Sequence, residues 1–289
     1  MKVSGFTIVR NAIKYDYPIV EAIMSILPLC DEIIVCVGKS DDDTLGLIKS
    51  IDSSKIKIIE TVWDDTLREG GKVLADETNK AFAAISKDSD WAFYIQGDEV
   101  IHEKHLPSIK SAMQQYINNK KVDGLLFNYK HFWGSYNYIA DSRKWYRKEI
   151  RIIKNDKNIS SYKDAQGFRK NDDKLNVKQI DASIYHYGWV KPPKAQQAKQ
   201  ETFHKLWHTD EWMKQNVPQV EQFDYSPIDS LKEFRETHPQ VMQQRINKIN
   251  WQFLFDSTKK KQSLKLKLLM FIEKTFGWKV GEYKNYKII

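Results

Sequence analysis

The sequence has little of what marks secreted, fibrous or membrane-spanning proteins. Its 289 residues include two cysteines, 12 glycines and 8 prolines, which excludes a disulfide-stabilised scaffold, a collagen and a low-complexity chain. The longest apolar runs, such as residues 268–272, are far shorter than the roughly 20 residues that span a bilayer. The first residues lack the basic flank and apolar core of a secretory signal. We therefore expect a globular cytoplasmic protein whose Cys30 and Cys36 stay reduced.

Two common phosphate-binding motifs are absent as well. No Gly-x-Gly-x-x-Gly follows the first apolar run, and no full Gly-x-x-x-x-Gly-Lys-Ser/Thr loop occurs. The first motif supports dinucleotide binding, and the second supports nucleoside triphosphate hydrolysis. Both functions therefore lose their main support from the sequence.

Positive charge is concentrated at the C-terminus. The chain carries a net charge of +8, and residues 258–289 hold nine lysines and two glutamates. Leu264, Leu268, Phe271 and Ile272 are interleaved with these lysines. This pattern favours either peripheral contact with the anionic inner face of a membrane or an amphipathic helix that packs on the domain. A nucleic acid is not an expected partner, because the charge lies in a tail and not along a folded face.

Apolar, strand-like runs alternate with segments of helical periodicity in the first third of the chain. The runs are residues 6–9, 33–37, 55–63 and 91–95. Near-continuous apolar strands are typical of a parallel sheet that is covered on both faces. We therefore predict an α/β fold with a Rossmann-like, mostly parallel sheet, helices on both faces and a helical C-terminal extension.

Beyond residue 122 the alternation ends. Further strands are expected at residues 125–132, 149–153 and 182–187, and helices at 192–213, 230–236 and 240–255. We interpret residues 1–190 as one catalytic-type domain, with a donor half at 1–121 and an acceptor half at 122–190. Residues 191–289 would form the helical extension with its basic tail.

Polar clusters follow the predicted strands. They are Arg10-Asn11, residues 38–43, Asp64-Asp65 and residues 96–99. In open parallel sheets, ligands bind beyond the carboxyl ends of the strands. Carboxylates at such an edge suit a divalent Mg or Mn ion whose remaining ligands are the phosphate oxygens of a nucleotide.

Four segments share their order and composition with one known family. They are residues 7–11, residues 33–44, Gly70-Gly71-Lys72 with Asn79 seven residues later, and Tyr94-Ile95-Gln96-Gly97-Asp98-Glu99. Together they resemble the family 2 glycosyltransferases, which have an A-type nucleotide-sugar fold, and the last segment looks like the family's Asp-x-Asp-Glu signature. Residues 184–189 look like the His-Tyr-Gly segment of bacterial cell-surface polysaccharide and lipopolysaccharide sugar transferases. The resemblance covers about residues 4–190.

The resemblance implies a role for each matching residue. Asp98 and His186 would hold the divalent metal, and the donor nucleotide would contact Val9, Arg10, Asn11, Asp42, Lys72 and Gln96. Displacing a nucleoside diphosphate from a sugar also needs a carboxylate that takes the proton of the acceptor hydroxyl. Our candidate is Asp164, because it lies in the expected acceptor half, and Glu99 is the reserve.

The sequence departs from the family pattern in three places. Gln96 stands where the first Asp of the signature is usual, so an amide replaces one carboxylate. Val37-Gly38 stands where an Asp often contacts the nucleobase. No Glu-Asp pair marks the catalytic base.

Structural roles remain open for several of these residues. The acidic run at residues 41–43 is also typical of a helix N-cap, Asp98 of a surface turn and His186 of a hydrogen-bonded strand histidine. His102-Glu103-Lys104-His105 lacks the spacing of a zinc motif. A dense aromatic group either stacks on an acceptor sugar or fills the core. Its members are Tyr129, His131, Phe132, Trp133, Tyr136, Tyr138, Trp145 and Tyr146.

Two functions follow from these observations. The first is an inverting, metal-dependent transfer of a sugar from a nucleoside-diphosphate donor to a glycan or lipid-linked acceptor, in bacterial cell-surface polysaccharide synthesis. The second is a non-catalytic adaptor at the membrane surface that keeps the fold, with Gln96 marking weakened metal binding.

Overall fold

Strands and helices make up most of the first 116 residues of the computed structural model, and they alternate as far as Tyr94. The structure describes residues 1–67, 69–217, 220–256, 264–276, 281 and 283–289. The elements of this first part are β1 (Val3–Val9), α1 (Ile19–Ile26), β2 (Glu32–Gly38), α2 (Thr44–Lys49), β3 (Ile56–Thr61), α3 (Lys72–Ala83), β4 (Trp91–Tyr94), β5 (Glu99–Ile101) and α4 (Leu106–Tyr116). Every residue of β1 except Ile8 and every residue of β2 and β4 is buried. Continuous burial explains why these strands are largely apolar and do not alternate between apolar and polar residues.

The rest of the chain is richer in strands. Its elements are β6 (Gly124–Trp133), β7 (Ser135–Ala140), β8 (Lys148–Lys154), β9 (Ile159–Tyr162), β10 (Gly167–Lys170), β11 (Asp173–Lys174), β12 (Asn176–Trp189), α5 (Pro193–Lys205), α6 (Asp210–Asn216), β13 (Leu231–Glu233), α7 (Gln243–Asn247), α8 (Leu264–Phe276) and β14 (Lys287–Ile288). Short 3-10 turns occur at Leu27–Leu29, Glu69–Gly71, Glu103–His105 and Gln240–Met242.

One sheet of 11 strands organises the fold. Strands β3, β2, β1 and β4 lie side by side and are parallel. Strand β8 pairs antiparallel with both β4 and β6, and β6 pairs parallel with the long strand β12. Strands β9, β10 and β11 form a separate small antiparallel sheet. The predicted α/β fold is confirmed, and the antiparallel pairs are confined to the part of the sheet beyond β4.

Helices cover both faces of the parallel strands. Ile19, Ile23 and Ile26 of α1 pack with Ile109 and Met113 of α4 in one apolar cluster. Ala81 and Phe82 of α3 belong to a second cluster, which includes Phe6 of β1 and Ile34 of β2. Side chains of successive strand residues point to opposite faces, so each strand supplies both clusters.

The predicted helix at residues 230–236 is wrong. Residues Leu231–Glu233 form β13, which pairs antiparallel with residues 138–140 of β7. Leu231 is 1% exposed and packs with Trp133 in an aromatic cluster. Burial against this cluster outweighs the weak helical periodicity of the segment.

The predicted helix at residues 240–255 ends early, at Asn247. Trp251 donates its indole N–H to the Gly134 carbonyl at 2.8 Å, and Phe253 packs with Tyr225. Aromatic residues at 251, 253 and 255 repeat every second residue, which is the period of an extended chain and not of a helix.

Cys30 and Cys36 are both buried and free. Burial raises the pKa of each thiol, that of Cys36 to about 11. Among the described residues, the helices are too short or too polar to cross a membrane.

Candidate active site

A cavity of about 710 Å³ opens where the carboxyl ends of β1 and β4 meet the second half of the chain. Seven of the ten residues to which the sequence assigned a metal-binding, nucleotide-binding or catalytic role line it. They are Val9, Arg10, Asn11, Gln96, Asp98, Asp164 and His186. These residues come from four separate segments of the chain. The fold therefore brings together most of the predicted site, as expected for a ligand pocket at this edge of an open sheet.

The residues after β1 form one wall of the cavity. Arg10 pairs with Asp65 at 2.9 Å, and its guanidinium lies 5.6 Å from the centre of the Trp63 ring. Asn11 has a φ of 57°, and its side-chain oxygen accepts the backbone N–H of Asp41 at 2.7 Å. Asn tolerates this left-handed conformation better than most residues. Asn11 thereby joins the loop after β1 to the loop after β2.

The three consecutive aspartates after β2, at residues 41–43, have different roles. Asp41 lines the cavity and pairs with Lys14 at 2.9 Å. Asp42 accepts the backbone N–H groups of Lys14 and Thr44, so it stabilises the loop and lies outside the cavity lining. Asp43 is the N-cap of α2 and accepts from the backbone of Gly46. Asp41, and not Asp42, is therefore placed to meet a ligand.

Two further residues named from the sequence lie outside the cavity lining. Lys72 is exposed at the first turn of α3. Glu99 is fully buried and forms two hydrogen bonds with Arg151, at 2.7 and 2.5 Å, and a third with the Tyr129 hydroxyl. A carboxylate enclosed in this way does not reach an acceptor hydroxyl in the cavity, so Glu99 suits a structural role better than that of the reserve base.

Asp98 and His186 face each other, with 3.7 Å between Asp98 Oδ1 and His186 Nε2. Burial acts to raise the pKa of Asp98, but the ammonium of Lys199 and the neighbouring His186 outweigh it and hold that pKa well below its usual range. Asp98 is therefore an ionised carboxylate.

The hydrogen bonds behind His186 fix its tautomer. His131 Nε2 lies 2.9 Å from the Tyr146 carbonyl oxygen, which can only accept, so this nitrogen carries the hydrogen. Burial and the neighbouring His186 hold the pKa of His131 well below its usual range, so His131 is neutral and its Nδ1 accepts. That Nδ1 is 3.1 Å from His186 Nδ1, which must then be the donor. In neutral His186, the lone pair is left on Nε2, the nitrogen that faces Asp98.

This arrangement fits a divalent cation. An imidazole lone pair and a carboxylate oxygen are ordinary metal ligands, and a ligating histidine usually donates its other N–H to an acceptor, as His186 does to His131. A Cβ on Gly188 would lie 2.5 Å from His186 Nε2 and 2.6 Å from Asp98 Oδ2, so only glycine leaves space beside both groups. In the described part of the chain, no cluster of three His, Cys, Asp or Glu side chains can hold a metal. A cation bound here would therefore need further ligands from water or from a bound molecule.

Asp164 lies in a turn with unusual backbone geometry. Its neighbours Lys163 and Ala165 have φ values of 53° and 60°, in the left-handed region that non-glycine residues rarely adopt. The Ala165 carbonyl accepts from Gln96 Nε2 at 3.1 Å, and the Gln166 carbonyl accepts from Arg151 at 3.0 Å. Burial raises the pKa of Asp164 above its ordinary value. Strained backbone beside a cavity carboxylate is typical of a functional site.

Helix α5 supplies a wall of the cavity that the sequence did not predict. Lys199, Gln200, Thr202, Phe203, His204 and Lys205 all line the cavity from this helix. The sequence correctly indicated a helix here, but the segment lies beyond the region of family resemblance. No local signal singles out Lys199, because Lys194 and Lys205 lie on the same helix.

Most of the aromatic group packs in the interior. Phe132, Trp133 and Tyr136 are each less than 9% exposed and belong to apolar clusters. Tyr146 is the member that lines the cavity. The other aromatic rings of the lining come from outside the group: Tyr15, Tyr17, Trp63, Tyr94, Trp189 and Phe203.

The fold and this cavity define an α/β protein with a pocket at the edge of its sheet that is lined by both basic and acidic side chains. No protein-family model and no curated protein matches the chain. Among solved structures, residues 1–349 of S. aureus TarS, also crystallised in complex with UDP, are 16% identical over 70% of this chain, with a TM-score of 0.41. The chain spans 64% of that fragment.

A second similar structure is glucosyl-3-phosphoglycerate synthase from Mycobacterium tuberculosis, in complex with Mn2+, UDP and phosphoglyceric acid. It is 21% identical over 46% of this chain and 43% of its own, with a TM-score of 0.29. Similarity at this level does not indicate a function for this chain. The function is therefore inferred from the residues of the cavity.

Proposed function

We propose that this protein transfers a sugar from a nucleoside-diphosphate donor to an acceptor hydroxyl. The observation that carries the proposal is the placement of Asp98, His186 and Asp164 around one cavity that also receives Arg10 and Asn11. Four of these residues, Arg10, Asn11, Asp98 and His186, come from the segments whose resemblance to family 2 glycosyltransferases suggested the function, whereas Asp164 was named for its place in the expected acceptor half.

In this proposal, the donor lies across the strand ends. Val9, Arg10, Asn11 and Gln96 line the nucleotide's path, and Asp41 takes the place expected for Asp42. Asp98 and His186 would hold a divalent Mg or Mn ion, and such an ion would supply positive charge that stabilises the leaving diphosphate. Lys72 lies outside the cavity lining, so we assign it no contact with the nucleotide.

Asp164 is the proposed general base. It removes the proton from the acceptor hydroxyl while that oxygen forms a bond to the anomeric carbon and the bond from this carbon to the diphosphate breaks. The electron pair leaves with the nucleoside diphosphate, and attack opposite the leaving group inverts the anomeric configuration. The raised pKa of Asp164 brings it closer to that of an effective base near neutral pH.

The proposed acceptor is a glycan or a lipid-linked sugar of a bacterial cell-surface polysaccharide. Rings such as Tyr146, Trp189 and Phe203 in the cavity lining can stack on sugar faces. Leu268 and Phe271 of α8 are 59% and 63% exposed. We include peripheral membrane contact through this helix in the proposal, because a lipid-linked acceptor lies at that surface.

The test begins with calorimetry, using Mn2+ and a panel of nucleoside diphosphates. Turnover is then measured as release of the nucleoside diphosphate from the matching sugar nucleotide. Asp98→Asn should abolish turnover and weaken Mn2+ binding, whereas Asp88→Asn, at an exposed ion pair with Lys2, should match the wild type. Asp164→Asn should keep donor affinity and lose about 10²- to 10⁴-fold in rate. Full turnover by Asp98→Asn would refute the metal assignment.

A non-catalytic adaptor remains the second candidate, because Lys199 already neutralises Asp98 at 3.0 Å. An adaptor would bind nucleoside diphosphate without turning over any sugar nucleotide, and Asp164→Asn would change nothing.

A further inference from the structure

Lys199 brings a positive charge to the wall of the cavity. It lies in the middle of α5 and is 9% exposed. Its ammonium donates to Asp98 Oδ2 at 3.0 Å and to the Gly188 carbonyl at 3.1 Å. A lysine is rarely this buried unless its charge has a specific partner.

The ammonium has a donor left over for a ligand. A lysine ammonium carries three N–H donors, and within the described residues its hydrogen-bond acceptors are Asp98 and Gly188. The Tyr17 ring, 5.1 Å from Nζ, packs against the same group. Because Lys199 lines the cavity, the third donor is accessible to an anion bound there.

Lys199 and the proposed metal use different oxygens of the same carboxylate. The ammonium contacts Asp98 Oδ2, whereas His186 Nε2 faces Asp98 Oδ1. The two cations therefore do not compete for one position. A diphosphate drawn to a cation held by Asp98 and His186 would therefore also come near the ammonium.

We propose that Lys199 binds the diphosphate of the donor directly and gives the protein a nucleotide affinity that persists without a divalent metal. The inference rests on the proposed function, since it assumes that a diphosphate enters this cavity. As the leaving group departs, negative charge grows on its terminal phosphate, and a fixed ammonium in a partly dry site stabilises that charge.

The experiment is calorimetry with inorganic pyrophosphate and with UDP, each in EDTA and each in Mn2+. The wild type should bind both probes in EDTA, and Lys199→Met should weaken binding at least about tenfold in both conditions, as expected for loss of a charge-assisted hydrogen bond. Lys199→Arg, which keeps the charge, should retain part of the affinity. Lys194→Met is the matched control, because Lys194 is an exposed lysine of the same helix.

A second comparison covers the case in which Lys199→Met leaves Asp98 unpaired and fails to fold. Asp98→Asn alone should bind pyrophosphate in EDTA at least as well as the wild type, because Lys199 is released from its partner. The double variant Asp98→Asn/Lys199→Met removes both charges and should bind at least about tenfold more weakly than Asp98→Asn.

The outcomes separate this inference from the proposed function. A Lys199→Met variant, or the double variant, that binds pyrophosphate as tightly as its reference would show that Lys199 only attaches α5 to the sheet, and would overturn the inference. A wild type that binds the probes in Mn2+ but not in EDTA would also overturn it, while the proposed function stands. A wild type that binds neither these probes nor any other nucleoside diphosphate would refute both.

Discussion

At the scale of single residues, the informative position is Gln96, where the sequence departs from the family signature. The departure alone suggested weakened metal binding. In the structure, Gln96 Nε2 donates to the carbonyl of Ala165, in the strained turn that carries Asp164. A carboxylate at this position cannot donate that hydrogen bond. The amide therefore has a positive role, which only the three-dimensional contact with residue 165 reveals.

We expect Gln96→Asp and the isosteric Gln96→Glu to lower kcat about 10- to 100-fold, the cost of misplacing a catalytic group by a fraction of an ångström to one ångström. Neither variant should tighten Mn2+ binding. Turnover and Mn2+ calorimetry check both statements together. If Gln96→Asp instead binds Mn2+ more tightly and turns over as fast as the wild type, residue 96 belongs to the metal site.

Glu149 carries a second residue-scale prediction. It is 2% exposed, and its Oε1 accepts from Gln166 at 2.8 Å, while its Oε2 has no hydrogen-bond partner in the described structure. Burial, assisted by the charge of Glu99, raises the pKa of Glu149 to about 8 from its ordinary value of 4.5. Between these pH values the folded protein binds a proton that the unfolded chain does not. Stability should therefore fall as pH rises through this window.

Glu149→Gln replaces the protonated acid by a neutral group of the same shape. Its melting temperature should match the wild type near pH 5 and exceed it by several degrees at pH 8 to 9, because the cost of ionising the buried acid is removed. Thermal unfolding across this pH range is the measurement. Glu60→Gln, at an exposed position on β3, should show no such divergence. Parallel curves for Glu149→Gln and the wild type would contradict the assignment.

At the scale of elements, sequence periodicity predicted the strands and helices that have a local pattern. It did not predict those whose conformation or position depends on contacts with distant residues. The parallel strands and the polar clusters at their ends were predictable, because a continuous apolar run and a following polar turn are local features. Strand β13 was not, since Leu231 is buried in a cluster with Trp133 and Ala140, which lie about 90 to 100 residues earlier in the chain. Helix α5 was recognised as a helix, but its position on the cavity wall depends on how it packs.

The turn before α3 shows how elements support the site. Gly70 and Gly71 have φ values of 66° and 71°. A Cβ on Gly71 would lie 3.0 Å from the Cβ of Asp164 and 3.2 Å from the ring of Trp207, whereas a Cβ on Gly70 would meet no atom within 4 Å. Both glycines adopt the left-handed backbone conformation that this turn requires, but only Gly71 also leaves space for the Asp164 turn.

The variants Gly70→Ala and Gly71→Ala form a matched pair. Each should lose about 1–2 kcal/mol of stability from the left-handed backbone. Gly71→Ala should in addition lower kcat, because its methyl group displaces the turn, whereas Gly70→Ala should keep a kcat near that of the wild type. Chemical denaturation and turnover separate the two effects. Equal kcat values for the pair would show that the position of Asp164 does not limit the rate.

At the scale of the whole molecule, the C-terminal region is not a free tail. Glu273 of α8 pairs with Arg143 and Arg147, which attaches the helix to the rest of the protein. The chain then returns to the sheet, where β14 pairs with β12 and Tyr286 is buried. Lys259, Lys260 and Lys261 lie outside the described residues. Removing residues 258–289 would therefore also remove part of the fold, so point variants test membrane contact better than truncation.

The remaining prediction concerns the apolar surface of α8. With Glu273 facing the domain, Leu268, Phe271 and Phe276 are 59%, 63% and 72% exposed. Apolar side chains beside lysines insert into an anionic interface, where each nearby lysine contributes about 1 kcal/mol. We expect the protein to sediment with vesicles containing phosphatidylglycerol at low salt, and far less at high salt, because salt screens the charges.

The double variant Leu268→Glu/Phe271→Glu should lose vesicle binding and keep the wild-type melting temperature, because both side chains are exposed. Leu254→Glu is the control, since Leu254 is 88% exposed but lies outside α8. A double variant that sediments like the wild type would move the contact elsewhere. A double variant that unfolds at a lower temperature would show that this face of α8 packs on the protein, and the acceptor would then not need to be at a membrane.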